Sequence, residues 1–195
     1  RPFGKYYVKE IATDEHYILS DTKYPVVFEY AGQDTATVEI KVNDGKEIKN
    51  ELIYGSVSGK KIDENGEALG GALIGIFKAD ETEFTKEHAI MTATSEKDGS
   101  FSFAKVPYGQ WIVREIEAPT GFVLDDTSYE VNISKNEQVI EVEIANEYIH
   151  GNIQLTKVDA DYPDNKLTGA TFEVYRDVNG DGKLYDGDEL IGNLK

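Results

Sequence analysis

The sequence predicts an all-β protein, a Greek-key sandwich of short antiparallel strands that repeats along the chain. In several runs apolar and polar residues alternate with a period of two, which is typical of strands with one buried face. These runs are residues 5–11, 37–42, 100–103 and 139–144. Turn sequences that favour positive φ separate the runs: Asn-Asp-Gly at 43–45, Asn-Gly at 65–66 and 179–180, and Asp-Gly at 98–99. Residues 80–90 lack alternation, and we interpret them as a loop or one helical turn.

The composition excludes several classes of protein. The chain of 195 residues has a net charge of −17 and no cysteine, so disulfide frameworks, thiol catalysis and cysteine-bound metals are ruled out. It has no basic stripe that could neutralise nucleic-acid phosphates or anionic lipid. A hydrophobic content of 39% is enough for a folded core. Without an apolar run of about 18 residues we expect no membrane insertion. The chain is then either cytosolic or a mature interior piece of an exported protein.

Internal repetition predicts where the domains begin and end. Residues 55–63 match residues 151–159, and residues 71–77 match residues 169–175. Towards the N-terminus, residues 4–11 match 109–116, and residues 48–51 match 144–147. The repeats predict one complete domain at 55–150, preceded by the C-terminal half of a repeat at 1–54 and followed by the N-terminal half of another at 151–195.

Three polar residues occupy apolar faces of predicted strands. Side chains two positions apart share a face of a strand. By this rule Lys61 lies on the face of Val57, Glu115 on that of Val113, and Asn146 on that of Ile144. Burial disfavours the charged forms of lysine and glutamate. A neutral amine beside a protonated acid is a nucleophile beside a general acid, so Lys61 could attack the Asn146 amide, with Glu115 moving protons. The product is an isopeptide bond with loss of ammonia.

These residues also carry a family resemblance. The order V-x-x-x-K-x-D, W-x-V-x-E-x-x-A-P-x-G-F from Trp111 to Phe122, and I-x-N-E resembles the CnaB-type or SpaA-type domains of Gram-positive surface proteins and pilins. The resemblance implies a prealbumin-like, inverse-immunoglobulin-like sandwich in which Lys61 and Asn146 are joined autocatalytically, assisted by Glu115, without enzymatic turnover. Gly59 stands where that family has an apolar residue, so we expect looser packing around Lys61.

A second triad is implied across the two half repeats. It would consist of Lys157 on the trailing half, with Glu10 as the acid and Asn50 as the acceptor on the leading half. An isolated half sandwich exposes strand edges and half of a core. We therefore expect the trailing half of one copy to complete the leading half of the next, either head to tail between copies or between successive repeats of a longer chain.

The last segment contains a calcium-type loop. Residues 177–188 read D-x-N-x-D-G-x-x-x-x-x-D, which resembles dockerin-type loops and places oxygen donors at the spacing that a hard cation needs. The predicted ligands are Asp177, Asn179, Asp181, the Lys183 carbonyl and Asp188. The alternative is an acidic, solvated turn.

Two functions from different classes follow. The first is a structural stalk or fibre repeat on the surface, cell wall or pilus of a Gram-positive bacterium, whose partners are neighbouring repeats or copies of itself. The second is an adhesin module that binds a host protein or glycan on the same scaffold without a crosslink. Neither is an enzyme, apart from single-turnover bond formation.

Overall fold

Eleven β-strands form the framework of the computed structural model, which describes residues 2–195. In this part of the chain there is no α-helix, only a 3-10 turn at Val42–Gly45. The strands in chain order are β1 (Gly4–Lys9), β2 (Lys23–Phe28), β3 (Tyr54–Asp63), β4 (Leu73–Lys78), β5 (Met91–Thr94), β6 (Ser100–Pro107), β7 (Gly109–Glu117), β8 (Tyr129–Ile133), β9 (Val139–Asn146), β10 (Phe172–Arg176) and β11 (Glu189–Leu194).

The central strands form two sheets around one apolar core. One sheet has the order β6-β3-β9 and the other the order β5-β4-β7-β8. All neighbours are antiparallel except β3 and β9, the first and last strands, which run parallel. The alternating apolar residues of both sheets meet in a buried cluster that includes Val57, Phe103, Ile76, Val113 and Ile144. The predicted all-β sandwich is confirmed.

The chain divides into two compact units at Ile149. The first unit contains β1–β9, and the second, from His150 to Lys195, contains the antiparallel pair β10-β11. In the first unit, β1 and β2 form a separate antiparallel hairpin with the same pairing as β7 and β8. The divisions at 54/55 and 150/151 as repeat boundaries stay predictions.

The turn residues behave as their sequences predict. Asn43, Asp44 and Gly45 all have positive φ, as do Gly66, Gly99 and Gly180. Residues 80–90 form a loop without a strand. Phe84 in this loop packs edge-on against Phe77, and the Arg114 guanidinium lies 4.3 Å from the Phe84 ring centroid. The loop therefore covers the outer face of the four-stranded sheet.

The strand predicted at residues 37–42 is absent. These residues join no ladder, because alternation records a burial preference whereas a strand also needs a hydrogen-bonding neighbour.

The expectation of loose packing at Gly59 is also wrong. Phe101 lies opposite Gly59 on β6 and is 5% exposed. A Cβ atom built on Gly59 would overlap the Phe101 ring. The ring therefore fills the space that an apolar side chain at position 59 would occupy. The glycine and the phenylalanine are a matched pair that keeps the packing near Lys61 close.

We predict that Gly59→Val lowers the free energy of unfolding by about 1–3 kcal/mol, because two methyl groups are forced against a packed ring. Adding Phe101→Ala should restore part of this loss by vacating the space. Urea unfolding followed by Trp111 fluorescence measures both. Ser58→Val, at the neighbouring exposed position of β3, is the control. Equal stability of Gly59→Val and the control would contradict the prediction.

Candidate functional site

Lys61, Glu115 and Asn146 come together inside the central sandwich. They lie on β3, β7 and β9, and their exposed fractions are 0%, 1% and 1%. The parallel register places Lys61 opposite Ile144 and Asp63 opposite Asn146. Since β3 and β9 belong to one sheet and β7 to the other, the three side chains meet between the sheets. The burial predicted from strand parity is confirmed for all three.

Glu115 contacts both of the other residues. Its Oε1 atom lies 3.8 Å from Nζ of Lys61. Its Oε2 atom accepts two hydrogen bonds, from Nδ2 of Asn146 at 2.6 Å and from the backbone N–H of Asp125 at 2.8 Å. The carboxyl group is therefore asymmetric: one oxygen faces the lysine, and the other holds the asparagine amide nitrogen.

The Lys61 amine is enclosed by protein. Nζ donates to the carbonyl oxygens of Ile144 at 3.1 Å and Ile62 at 3.2 Å. Burial lowers the pKa of Lys61 from its usual value, and the negative charges of Glu115, Asp125 and Asp63 oppose this shift only in part. The environment thus favours the neutral, nucleophilic amine more than water does.

The Asn146 side chain is held by its nitrogen. Nδ2 also donates to the carbonyl oxygen of Val123 at 2.7 Å. The amide oxygen, Oδ1, is buried and has no hydrogen-bond partner among residues 2–195, and the same holds for Oε1 of Glu115. A buried polar atom without a partner costs about 1–3 kcal/mol. The site therefore contains two buried oxygens without partners, of which Oε1 of Glu115 faces the amine.

Three supporting contacts around the site were not predicted from the sequence. The backbone N–H of Asp125 and the carbonyl of Val123 fix Glu115 and Asn146, and backbone groups leave no side-chain signal. Tyr129 donates from its hydroxyl to Asp125 at 2.8 Å. Burial and this hydrogen bond raise the pKa of Tyr129 to about 12. Asp125 follows the A-P-x-G-F run, the only sequence feature that could have indicated it.

The structure brings Glu10 and Asn50 together in the same way. Nδ2 of Asn50 lies 2.8 Å from Oε1 and 2.9 Å from Oε2 of Glu10. The backbone N–H of Ser20 donates to Oε2 at 2.8 Å, and Nδ2 of Asn50 also donates to the Ile18 carbonyl at 3.2 Å. The hydrogen bonds from Ser20 and Asn50 lower the pKa of Glu10. This pair thus repeats the Glu115–Asn146 contacts.

Lys157 lies in the second unit, where it is exposed. Its carbonyl accepts a hydrogen bond from the Leu167 N–H at 2.9 Å, as the Lys61 carbonyl accepts one from Leu69 at 3.0 Å. Lys157 lines an open groove of about 550 Å³. The local turn is therefore the same around the two lysines, whereas only Lys61 is buried.

The residues of the predicted calcium loop connect β10 and β11. Asp177 accepts hydrogen bonds from the backbone N–H groups of Gly180 and Gly182, each at 2.7 Å. Asp188 accepts from Val178 and Tyr185, each at 3.1 Å. Asn179 and Asp181 likewise accept backbone hydrogen bonds inside the loop, and Asp181 accepts from Lys183. Within residues 2–195 no cluster of three or more His, Asp or Glu side chains is arranged to hold a metal ion, so the calcium site stays a prediction.

No helix in the described part of the chain is long and apolar enough to cross a membrane. Comparison with curated proteins gives no match. Among solved structures, the chain is similar to the Bacillus anthracis TIE protein, with 26% identity and a TM-score of 0.69. The match covers 91% of this chain and 31% of that protein, so the chain spans about a third of its length.

Two pilins are also similar over parts of the chain. BcpA, the major pilin subunit of Bacillus cereus, is 27% identical with a TM-score of 0.41, over 47% of this chain and 28% of that one. GBS52, the minor pilin of Streptococcus agalactiae, is 18% identical with a TM-score of 0.43, over 69% of this chain and 63% of that one. The family model of the SpaA prealbumin-like fold domain matches residues 55–148, which span the buried site. The central segment of this chain is therefore similar to the SpaA family of prealbumin-like domains.

Proposed function

We propose that the chain is a structural stalk repeat of an exported Gram-positive surface protein or pilus, stabilised by an internal isopeptide bond between Lys61 and Asn146. The observation that carries this proposal is the fully buried contact of Glu115 with both Lys61 and Asn146. The match of residues 55–148 to the SpaA family model supports the surface role. No turnover of a substrate is involved.

The proposed reaction is an amide exchange. Nζ of Lys61 attacks the side-chain carbonyl carbon of Asn146, the new C–N bond forms, and the bond to Nδ2 breaks. Glu115 takes a proton from the attacking amine and delivers one to Nδ2, which leaves as ammonia. The 2.6 Å hydrogen bond between Nδ2 and Glu115 provides the path for the second transfer. The amine and the amide give one new amide and one ammonia, so the reaction needs no cofactor.

The two oxygens of Glu115 have different surroundings. Oε2 accepts two N–H donors, whereas Oε1 faces Lys61. Oδ1 of Asn146 is buried and has no hydrogen-bond partner in the described part of the chain. Polarising that oxygen makes the amide carbon more electrophilic. Fixed proximity in a site without water supplies effective molarities on the order of 10⁵ M.

The bond would stabilise the domain in two ways. It closes a loop of about 85 residues, which in the chain-entropy treatment of crosslinks is worth roughly 4 to 5 kcal/mol. It also joins the first and last strands of the sandwich, β3 and β9, which are hydrogen-bonded in parallel. Tension on the chain would pass from β3 to β9 through the crosslink and bypass everything between them. Such a device suits a cysteine-free stalk outside the cell.

The half repeats at either end fit the same role. The hairpin β1-β2 corresponds to β7-β8, and the pair β10-β11 corresponds to β4-β5. Together they would supply the four strands of the larger sheet. We propose that neighbouring repeats or copies complete each other head to tail, so the partners of this chain are units of its own kind.

Intact mass spectrometry tests the crosslink. We expect the purified chain to weigh about 17 Da less than its translated sequence for each bond, because one ammonia leaves. We expect no loss of ammonia at the central site in the variants Lys61→Met, Glu115→Ala and Asn146→Ala, because the bond cannot form in them. The controls Lys60→Ala and Asn132→Ala change exposed neighbours and should retain the loss. If the wild-type chain has its full translated mass, the bond is absent and a ligand-binding module on the same scaffold becomes the better proposal.

The pH dependence of stability tests the state of Lys61. In Asn146→Ala the lysine stays unreacted, with a folded pKa below its unfolded value of about 10.4. Between these two values the unfolded state binds more protons, so the free energy of unfolding should rise with pH across that window. Urea titrations from about pH 7 to 10 measure the slope. Asn146→Ala/Lys61→Met should show a smaller slope, whereas equal slopes would show that Lys61 is not desolvated.

We also propose that the loop at 177–188 binds Ca²⁺, which would rigidify the hairpin β10-β11. Its support is the ligand spacing and the hydrogen bonds that turn Asp177, Asn179, Asp181 and Asp188 towards the loop backbone. The Lys183 carbonyl would be the fifth ligand. When the ion binds, those side-chain oxygens would give up their hydrogen bonds from backbone N–H groups and coordinate Ca²⁺ instead.

Isothermal titration calorimetry tests this second proposal. We expect one Ca²⁺ per chain and at least a roughly tenfold loss of affinity in Asp177→Asn, because one charged ligand is removed. Asp186→Asn, in the same loop outside the ligand positions, is the matched control and should bind like the wild type. Absence of binding heat for the wild-type chain would leave only an acidic turn.

A further inference from the structure

Tyr129 places a hydroxyl group on the inward face of the four-stranded sheet. On β8 it shares its face with Ile133, which is fully buried. Its partner in the ladder is Val113 on β7, two residues before Glu115 on the same face of that strand. A phenylalanine would suit such an apolar position, whereas a tyrosine hydroxyl in these surroundings needs a hydrogen-bond partner. That partner is Asp125, at 2.8 Å.

Both oxygens of the Asp125 carboxylate accept hydrogen bonds. Oδ2 accepts from the Tyr129 hydroxyl, and Oδ1 accepts from the backbone N–H of Thr127 at 3.0 Å. The second contact forms an Asx turn, in which an aspartate side chain bonds to the backbone two residues further on. Burial alone would raise the pKa of Asp125, but the hydrogen bonds from Thr127 and Tyr129, together with the charge of Lys61, outweigh it and lower that pKa. The side chain is therefore a fixed, ionised group.

The main chain beside Asp125 holds two groups of the central site. The N–H of Asp125 donates to Oε2 of Glu115, and the carbonyl of Val123 accepts from Nδ2 of Asn146. Residues 123–125 connect β7 with β8 without being part of either strand, so contacts of their side chains help to fix them. A shift of this short segment would displace the acid and the amide together.

We infer that Asp125 and Tyr129 are positioning residues for the amide exchange. The tyrosine hydroxyl fixes the aspartate, and the aspartate holds the segment that aligns Glu115 and Asn146 for attack by Lys61. The hydroxyl acts on the reaction only through the aspartate. This inference rests on the isopeptide chemistry proposed for Lys61 and Asn146.

The charge of Asp125 also acts on the Lys61 amine. Burial lowers the pKa of Lys61, and three carboxylates oppose this shift: Glu115 on β7, Asp125 on the loop that follows it, and Asp63 on β3. Neutralising Asp125 would lower the pKa of Lys61 further, so the neutral amine would be available at lower pH. A residue that only filled space would not change the pH range of the reaction.

The rate at which newly made chains lose ammonia tests these roles. The full chain is made by cell-free synthesis, translation is stopped, and the intact mass is followed over time in buffers from about pH 5 to 9. We expect Tyr129→Phe to react roughly tenfold to a hundredfold more slowly than the wild type, because a small misplacement of reacting groups causes a loss of this size. Asp125→Asn keeps the shape of the side chain and should move the acid limb of the rate profile to lower pH.

A double variant tests whether the tyrosine acts through the aspartate. Asp125→Ala should react slowly, and adding Tyr129→Phe should slow the reaction no further, because the hydroxyl then has no carboxylate to fix. The matched controls are Asp126→Asn, an exposed neighbouring carboxylate, and Tyr54→Phe, an exposed tyrosine on β3. Both controls should react at the wild-type rate with an unshifted profile. Trp111 fluorescence in urea shows whether each variant is folded.

The wild-type chain separates this inference from the proposed function. If it loses ammonia while Tyr129→Phe and Asp125→Asn react at its rate and with its pH profile, the inference fails and the crosslink stands. A further loss of rate in the double variant would also overturn the inference. Should Tyr129→Phe not fold, the profile of Asp125→Asn decides, and an unshifted acid limb contradicts the inference. If the wild type never loses ammonia, the proposed function itself fails.

Discussion

The burial of an amine between two sheets is the constraint on which the central domain depends. Lys61 is fully enclosed, and its nearest acidic group lies 3.8 Å away, beyond hydrogen-bonding distance. An ion pair in such surroundings recovers only part of the hydration that it loses. The site lowers this cost by favouring the neutral amine, and two oxygens remain without partners. Burying the unbonded amine and the two oxygens costs free energy. Joining the amine to the amide would remove one of the ionisable groups.

The cost is tolerated because the surrounding packing is close. Phe101 fills the position above Gly59, and apolar residues of both sheets form one buried cluster. Close-packed protein interiors relax little around a single unsatisfied group. The backbone contacts from Asp125 and Val123 then fix two of the three side chains from a single segment. The geometry is therefore imposed by the sandwich rather than by the reacting residues.

Much of the fold and of the central site could be predicted from the sequence. Strand parity was sufficient to bury Lys61, Glu115 and Asn146, because a half-buried strand offers only two faces. Parity could not say whether a strand finds a partner, so residues 37–42 were wrongly predicted to form one. Parity also does not show when a large side chain on one strand fills the space beside a glycine on the next, which is why Phe101 was not connected with Gly59. The roles of Asp125 and Val123 depend on main-chain atoms, which every residue has, so composition and spacing could not reveal them.

The parallel pairing of β3 with β9 fixes the direction in which the polypeptide traverses the central domain. The chain enters the domain at Tyr54, at one end of the sandwich, and leaves after Asn146 at the other end. The entry and exit points are therefore separated by at least one strand length. For the ten residues of β3 this is about 33 Å. An array of these domains would therefore gain reach in proportion to the number of copies. In the proposed stalk, duplication or loss of a single repeat would change the total length in increments of a few nanometres.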